Sequence, residues 1–275
     1  MKIALGLNFY NAYDGLKRLC DSIPVGFIDY VIGIDGVYRY TKEKHPELSL
    51  VSNDGSQKIL LDQADKNKFC TILMEYPNVT EFEKRNKYLE ICQDMNIDIL
   101  IIVDSDEYFI YPEGTDPTTA FTQFKINLQK TIYAYNFEHN NEHNVFGIRT
   151  LDIDNNYDAY RPRIWANPGQ MRYIYGSHYH YANVERESED IENFKNNRIC
   201  YVQCCPKVVK GIILAHDHNM IKSGTQEIRN EYIEYLKKFE SLTQSHNYSL
   251  DECHRLAAEG KDYQDILMEN TTIVT

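Results

Sequence analysis

An almost unbroken apolar run ends in three carboxylates in the stretch Ile97-Asp98-Ile99-Leu100-Ile101-Ile102-Val103-Asp104-Ser105-Asp106-Glu107. Runs rich in Ile, Leu and Val are typical of strands that are covered on both faces, as in the middle of a mainly parallel sheet. Ligands of open α/β sheets bind just beyond the carboxyl ends of such strands, which is where Asp104 and Asp106 lie. Both carboxylates project to the same side of an extended chain, and two hard oxygen ligands suit a divalent cation. Taken alone, the stretch also fits a polar strand end that only marks the edge of the core.

The overall composition is that of a globular protein. The chain has 275 residues, of which 25% are charged and 43% hydrophobic, and its formal net charge is −12. Nucleic-acid-binding proteins usually carry a basic excess, so the acidic balance argues against a nucleic-acid partner. The length allows one large α/β domain or two small ones. We find no repeats, low-complexity segment or clear linker, which favours one domain.

Cysteine usage and the apolar segments predict a soluble, cytoplasmic protein. The seven cysteines are an odd number without a CxxC pair, which is typical of a reducing compartment. The apolar run at the N-terminus is too short for a signal peptide. No segment approaches the roughly 18 apolar residues that a membrane span requires, so we expect no transmembrane segment.

A strand–helix–strand unit opens the chain, with strands predicted at Ile3–Leu7 and Phe27–Ile34. The first turn lacks both G-x-G-x-x-G and G-x-x-x-x-G-K-[ST], which argues against a dinucleotide site and a P-loop. Asp35 follows the second strand and is placed to accept hydrogen bonds from a base or a ribose. The alternative is an ordinary Asp-Gly turn.

The helix before the central stretch carries an arginine on its apolar face. Thr80-Glu81-Phe82-Glu83 is a capping box that predicts a helix to about Met95. Arg85 falls between Phe82 and Leu89 on the apolar face, where a guanidinium needs an acidic partner or a ligand phosphate.

The second half of the chain is less regular. A helix is predicted over 118–134, strands over Val145–Ile153 and Val208–Leu214, and a further helix whose apolar face begins at Ile228. Between them, residues 161–181 are dense in aromatic residues, arginines and histidines, which suit a polar acceptor such as a sugar. An aromatic core with surface histidines is the alternative.

The order of these features resembles that of family 2 glycosyltransferases with the GT-A (nucleotide-diphospho-sugar transferase) fold. Those enzymes have an acidic residue after the second strand, matched by Asp35, and an Arg-Asn pair at a helix start, matched by Arg85-Asn86. Their hydrophobic strand ends in a DXD motif, matched by Asp104-Ser105-Asp106. A later histidine and a helix with spaced Arg and Tyr are matched by His216 or His218, Arg229, and Tyr232 or Tyr235. The match covers about the first 110 residues well and the remainder loosely.

The resemblance implies a Rossmann-like α/β fold of GT-A type, with a mixed, mainly parallel sheet flanked by helices. We expect one domain over residues 1–275, with a nucleotide-sugar half over about 1–110, an acceptor half over about 111–245 and a helical tail over 246–275. The implied activity is that of a hexosyltransferase-type enzyme that uses a nucleotide-diphosphate sugar, with a UDP-sugar favoured. Mn²⁺ (or Mg²⁺) would bridge the motif and the diphosphate, and a mixed oxygen and imidazole shell favours Mn²⁺.

The resemblance also assigns roles to particular residues. The catalytic residue would be Asp106. The base is where this sequence departs from the family, because Gly176-Ser177-His178-Tyr179 lacks the expected acid, and Asp154 is one candidate for it. The metal ligands would be Asp104, Asp106 and His216. The nucleotide-sugar contacts would be Asn8, Asp35, Arg85, Asp104 and Ser105. The acceptor side would include Arg163, Trp165, His178 and His180. Asp152, Glu185 and Glu187 stay open as alternative bases, as does an inverting or a retaining outcome.

Two other functions remain open. A sugar-nucleotide nucleotidylyltransferase would need a Gly-rich loop after the first strand, which Asn8-Phe9-Tyr10-Asn11-Ala12 does not supply. A non-catalytic carbohydrate-binding or assembly protein on a transferase scaffold is the second. The acceptor of a transferase would be a glycan or another hydroxyl compound, with a modified nucleobase still among the candidates.

Overall fold

A computed structural model describes residues 1–139, 145–153, 157–173, 181–183, 205–217, 226–245 and 248–266. The strands are β1 (Ile3–Phe9), β2 (Tyr30–Asp35), β3 (Cys70–Glu75), β4 (Ile99–Ile102), β5 (Glu107–Ile110), β6 (Val145–Asp152), β7 (Tyr157–Ala166), β8 (Met171–Tyr173), β9 (Tyr181–Asn183) and β10 (Cys205–His216). The helices are α1 (Tyr13–Asp21), α2 (Arg39–Lys44), α3 (Ser56–Asn67), α4 (Glu81–Met95), α5 (Pro117–His139), α6 (Gln226–Gln244) and α7 (Leu250–Ala258), with a 3₁₀ turn at Pro168–Gln170.

Eight strands form one sheet in the order β3-β2-β1-β4-β7-β6-β10-β5, and β8 pairs with β9 separately. The pairs β1–β2, β1–β4, β2–β3 and β6–β10 are parallel, whereas β4–β7, β6–β7 and β5–β10 are antiparallel. This is the mixed, Rossmann-like α/β architecture of GT-A type that the sequence predicted. None of the described helices is long and apolar enough to cross a membrane.

The central strand is covered on both faces, as its apolar run predicted. Ile99, Ile101 and Val103 belong to one buried cluster, which includes side chains of α1 and α5. Leu100 and Ile102 belong to a second cluster on the opposite face, which is built largely on α4. The alternation follows from the period of two along a strand, so a continuous apolar run is what two covered faces require.

The sequence did not reveal how β4 leads into β5. The two strands are separated in the sheet by β7, β6 and β10, yet only residues 103–106 connect them in the chain. Such a short connection spans at most about 17 Å, so the sheet curls and its far edge returns toward β4. The loop that carries Asp104 and Asp106 therefore bridges the opening of the curled sheet.

Candidate functional site

A cleft of about 210 Å³ lies at the carboxyl ends of β1 and β4. Its wall combines the end of β1, the segment after β2, the start of α4, the 103–106 loop, β7, the end of β10 and α6. The lining residues are Asn8, Phe9, Tyr10, Tyr38, Glu81, Asp104, Ser105, Arg161, Arg163, His216, Arg229, Tyr232, Ile233 and Leu236. The cleft occupies the position that an open α/β sheet offers to ligands.

Asp106 joins three distant parts of the chain. Its side chain has no exposed surface, and its Oδ2 accepts a hydrogen bond from Nη2 of Arg229 on α6 at 3.0 Å. The same Oδ2 lies 3.1 Å from Nε2 of His216, at the end of β10. The backbone is tied as well, because the N–H of Asp217 donates to the carbonyl oxygen of Asp106 at 3.1 Å. Asp106 is therefore held from α6 and from β10 together.

Asp104 lies between two arginines. Nη2 of Arg85 donates to its Oδ1 at 3.0 Å, and Nη2 of Arg163 donates to its Oδ2 at 2.8 Å. Arg85 also donates through Nε and Nη2 to Oε1 of Glu81, at 3.1 and 2.8 Å. Arg85, on the apolar face of α4, thus pairs with Glu81 and Asp104. A buried guanidinium requires such acidic partners.

Glu107 contacts both Arg163 and Asp104 and so belongs to the same network. Its Oε1 accepts from Nη2 of Arg163 at 2.7 Å, and its Oε2 accepts from the backbone N–H of Asp104 at 2.7 Å. Burial raises the pKa of Glu107, and the Arg163 guanidinium acts in the opposite direction. Burial alone would lower the pKa of Arg163, but Asp104 and Glu107 raise it above its ordinary value. The guanidinium therefore keeps its charge and pairs with both carboxylates.

The donor set fits part of a metal site. Asp106 Oδ2 and His216 Nε2 are 3.1 Å apart, which lets one cation contact both atoms. A carboxylate oxygen with an imidazole nitrogen suits Mn²⁺. No group of three or more His, Cys, Asp or Glu side chains converges on a common point among the residues that the structure describes. Among the described residues, Asp106 and His216 would be the ligands, and substrate phosphates with water would contribute to the shell, as is usual for such ions.

The other predicted contacts with the nucleotide sugar lie in different environments. Asn8 and Ser105 line the cleft. The Ser105 hydroxyl is buried and has no hydrogen-bond partner in the described part of the chain. Asp35 is buried and does not line the cleft. Its oxygens accept from the N–H and Oγ of Ser52 at 3.0 and 2.7 Å and from Nε2 of Gln57 at 2.6 Å, so it fixes the loop before α3.

The residues predicted for the acceptor side also lie in different environments. Arg163 lines the cleft, whereas Trp165 is fully buried and packs 5.0 Å from the ring of Tyr173. Trp165 lies opposite Leu100 in the middle of β4, where both faces of the sheet are covered, so it belongs to the core and not to the cleft wall. His178, His180, Asp154, Glu185, Glu187 and His218 lie outside the described residues.

The sequence did not single out Glu81, Glu107 and Arg161 as site residues. Glu81 lies four positions before Arg85, a spacing that pairs opposite charges on one helix face. This spacing in the sequence could have predicted the Glu81–Arg85 ion pair. Glu107 was the third acid of the central stretch, but its direction depends on the turn into β5. Arg161 needed the register of β7, which local sequence does not determine.

Comparisons with known proteins give no family for this chain. No protein-family profile matches it, and no curated protein sequence matches it. Among solved structures, TarS from S. aureus is 18% identical over 56% of this chain, with a TM-score of 0.35. This chain spans only 22% of the TarS chain.

Two further structures match over most of the chain. Glucosyl-3-phosphoglycerate synthase from Mycobacterium tuberculosis, solved with Mn²⁺, UDP and glucosyl-3-phosphoglycerate, is 11% identical over 90% of this chain and 81% of its own, with a TM-score of 0.43. A 4-diphosphocytidyl-2C-methyl-D-erythritol synthase from Anaerococcus prevotii is 15% identical over 85% of this chain and 96% of its own, with a TM-score of 0.38. Likenesses this distant do not show what the present chain does.

Proposed function

We propose that this protein is a glycosyltransferase that moves a sugar from a nucleotide-diphosphate sugar, with a UDP-sugar favoured, to a hydroxyl acceptor. The observation that carries the proposal is the meeting of the buried Asp106 with His216 and Arg229, two residues that line the cleft. Three segments that are far apart in sequence place a carboxylate, an imidazole and a guanidinium around one point. This combination suits a cation and a diphosphate bound side by side.

The chemistry to be assisted is departure of the nucleoside diphosphate. When the bond between the sugar and the phosphate breaks, negative charge grows on the leaving diphosphate. Bound Mn²⁺ (or Mg²⁺) would act there as a Lewis acid. Arg229 and Arg163 line the same cleft, and fixed guanidinium groups can stabilise growing negative charge without reorganising. Asp104 would orient Arg163 and Arg85, because it pairs directly with both.

The nucleoside would occupy the side of the cleft formed by β1 and the segment after β2. Asn8 and Tyr10 form that wall together with Tyr38, whose ring is stacked on Tyr232 at a centroid distance of 4.6 Å. The acceptor would approach from the other side, where Arg161 and Arg163 extend from β7.

The first test removes the imidazole and keeps the buried ion pair. Asp106→Asn is the less informative change, because it breaks the buried ion pair with Arg229, and breaking a buried pair costs about 3–5 kcal/mol of stability. His216→Gln leaves the Asp106–Arg229 pair in place. We expect UDP to raise the melting temperature of the wild-type chain only when Mn²⁺ is present. In His216→Gln we expect the Mn²⁺-dependent affinity for UDP to fall by a factor of about 10 or more.

His45→Gln is the matched control. His45 pairs with Glu231 at 2.8 Å, away from the cleft, so this variant should keep the Mn²⁺-dependent response of the wild type. UDP binding that is indifferent to metal and unchanged in His216→Gln would contradict the proposed site. If the proposed site is supported, a screen of nucleotide sugars for metal-dependent hydrolysis would identify the donor. Binding without any turnover would favour the non-catalytic alternative.

A further inference from the structure

A second, smaller cavity of about 80 Å³ lies beside Asp104, on the side of β4 that faces β7. It is lined by Arg85, Ile102, Asp104, Arg161, Pro162, Arg163 and Tyr173. Three guanidinium groups thus surround a space that contains one carboxylate. Arg161, Arg163 and Asp104 also line the main cleft, so the two cavities adjoin.

Two of these arginines keep hydrogen-bond donors unused. Arg163 reaches both Asp104 and Glu107 through the single nitrogen Nη2, and its Nε and Nη1 have no acceptor within the described ranges. Arg161 is half-buried, and it forms neither an ion pair nor a hydrogen bond with any described residue. Arg85, by contrast, donates to Glu81, Asp104 and Tyr88. The unused donors of Arg163 and Arg161 are therefore available to an anionic ligand in the cavity that both side chains line.

A β-bulge lies beside the two arginines, which are two residues apart on β7. Phe146 of β6 pairs with Ile164, and the next residue, Gly147, pairs with Pro162, so Arg163 is the extra residue of β7. Bulges bend a strand and redirect side chains, and they are common beside functional sites. Arg161 and Arg163 both line the cavity, next to this bulge.

We propose that this cavity binds a small oxyanion, a phosphate or a carboxylate group, that the sugar acceptor carries. The inference rests on the proposed transferase function and adds the chemical class of the acceptor. Planar guanidinium groups bind such oxyanions through paired N–H donors. The cavity has less than half the volume of the main cleft, about 80 Å³ against about 210 Å³, which suits a small anionic group better than a nucleotide. It also lies across β4 from β1 and β2, the strands that form the nucleoside wall.

The test measures calorimetrically how inorganic phosphate and acetate bind to the full chain. We expect one of the two anions to bind the wild type, and to bind with unchanged affinity when UDP and Mn²⁺ are saturating. Arg161→Gln should weaken that binding by a factor of about 10 or more, because a hydrogen bond to a charged group is lost. Arg161→Lys, which keeps the charge but not the planar fork, should lie in between, and matching melting temperatures would show that both variants fold. Arg149→Gln is the control, since Arg149 is exposed and pairs with Asp158 on the surface.

Several results would contradict either the oxyanion site or the proposed transferase function. If UDP displaces the anion, the cavity belongs to the donor diphosphate and the inference fails while the proposed function stands. If neither anion binds, or if Arg149→Gln weakens binding as much as Arg161→Gln, the cavity is not a specific oxyanion site. If UDP itself does not bind, the proposed function fails, and that result is seen independently of the anion titration.

Discussion

Gly15 in α1 lies directly against the backbone of the acidic loop. A Cβ atom added at Gly15 would lie 1.9 Å from the carbonyl oxygen of Ser105, which no real contact allows. The first turn of α1 can therefore approach the loop between Asp104 and Asp106 only because residue 15 has no side chain. Nothing in the local sequence announces this role, since glycine in a helix ordinarily signals only a weak helix former.

We expect Gly15→Ala to destabilise the protein although alanine is the better helix former. Helix propensity favours alanine by about 1 kcal/mol, but overpacking against fixed backbone costs about 1–3 kcal/mol or more. The loop should also shift, so Mn²⁺-dependent UDP binding should weaken. Chemical denaturation and calorimetry would measure the two effects. Lys17→Ala, at an exposed position of the same helix, should change stability by no more than about 0.5 kcal/mol. A Gly15→Ala variant as stable as the wild type would show that α1 can move away at little cost.

At the scale of elements, α6 is docked on α2 by two stacked pairs of tyrosine rings. Tyr232 stacks on Tyr38 with an interplanar angle of 6°, and Tyr235 stacks on Tyr40 at 4.1 Å and 8°. Tyr232, Tyr235 and Arg229 are three residues apart along α6 and share one face of the helix. The contact that holds the helix therefore also presents Arg229 to Asp106.

Tyr40→Ala should loosen α6 although Tyr40 does not line the cleft. Aromatic pairs contribute about 0.5–1.5 kcal/mol beyond the apolar area that they bury. We expect faster hydrogen exchange of the α6 amides and weaker Mn²⁺-dependent UDP binding, while the amides of β1 stay protected. Tyr40→Phe keeps the ring and should behave like the wild type. Unchanged exchange in α6 would show that the helix is held by its other contacts, for example those with α7.

At the scale of the whole molecule, Lys84 links stability to pH. Its side chain is fully buried, and its Nζ donates to the carbonyl oxygen of Gly36 and, at 3.4 Å, to that of Phe9. It thereby holds the chain ends of β2 and β1 together. Burial lowers the pKa of Lys84 to about 7, with Asp35 and Glu81 acting in the opposite direction.

The folded and unfolded states bind protons at Lys84 over different pH ranges, and this difference decides whether stability rises or falls with pH. Below about pH 7 the amine is protonated in both states, and the folded state bears the full cost of the buried charge. Between about pH 7 and the ordinary value of 10.5, the unfolded chain holds the proton and the folded chain does not, so this group makes stability rise with pH. The slope is about 1 kcal/mol per pH unit.

Lys84→Met removes that slope, so the difference in free energy of unfolding between wild type and variant should grow in favour of the wild type from pH 7 to 10. Urea denaturation at several pH values would measure it. Comparing the two proteins cancels the other groups that titrate in this range, such as the buried Cys20, whose pKa burial raises to about 12. A pH-independent difference would show that Lys84 stays protonated in the folded state.

Local patterns predicted several elements of this fold well. The apolar run of β4, the capping box of α4 and the helix α6 lie where periodicity and capping placed them. The curl of the sheet, the short strand β5 and the bulge at Arg163 depend on pairings between distant segments, which local sequence does not encode. For the same reason the sequence could mark Asp104 and Asp106 as important but could not show which arginine each would meet.

The backbone N–H of Asp217 donates to the carbonyl oxygen of Asp106, and His216 pairs with Glu107 across β10 and β5. These contacts between distant segments bear on the order in which the protein folds. The parallel strands β1 to β4 need only residues 1–102, so this part can begin to pair while synthesis continues. The acidic loop, however, is fixed by residues more than a hundred positions later, and long loops close slowly. We therefore expect the scaffold to form early and the cleft to acquire its final shape among the last events of folding.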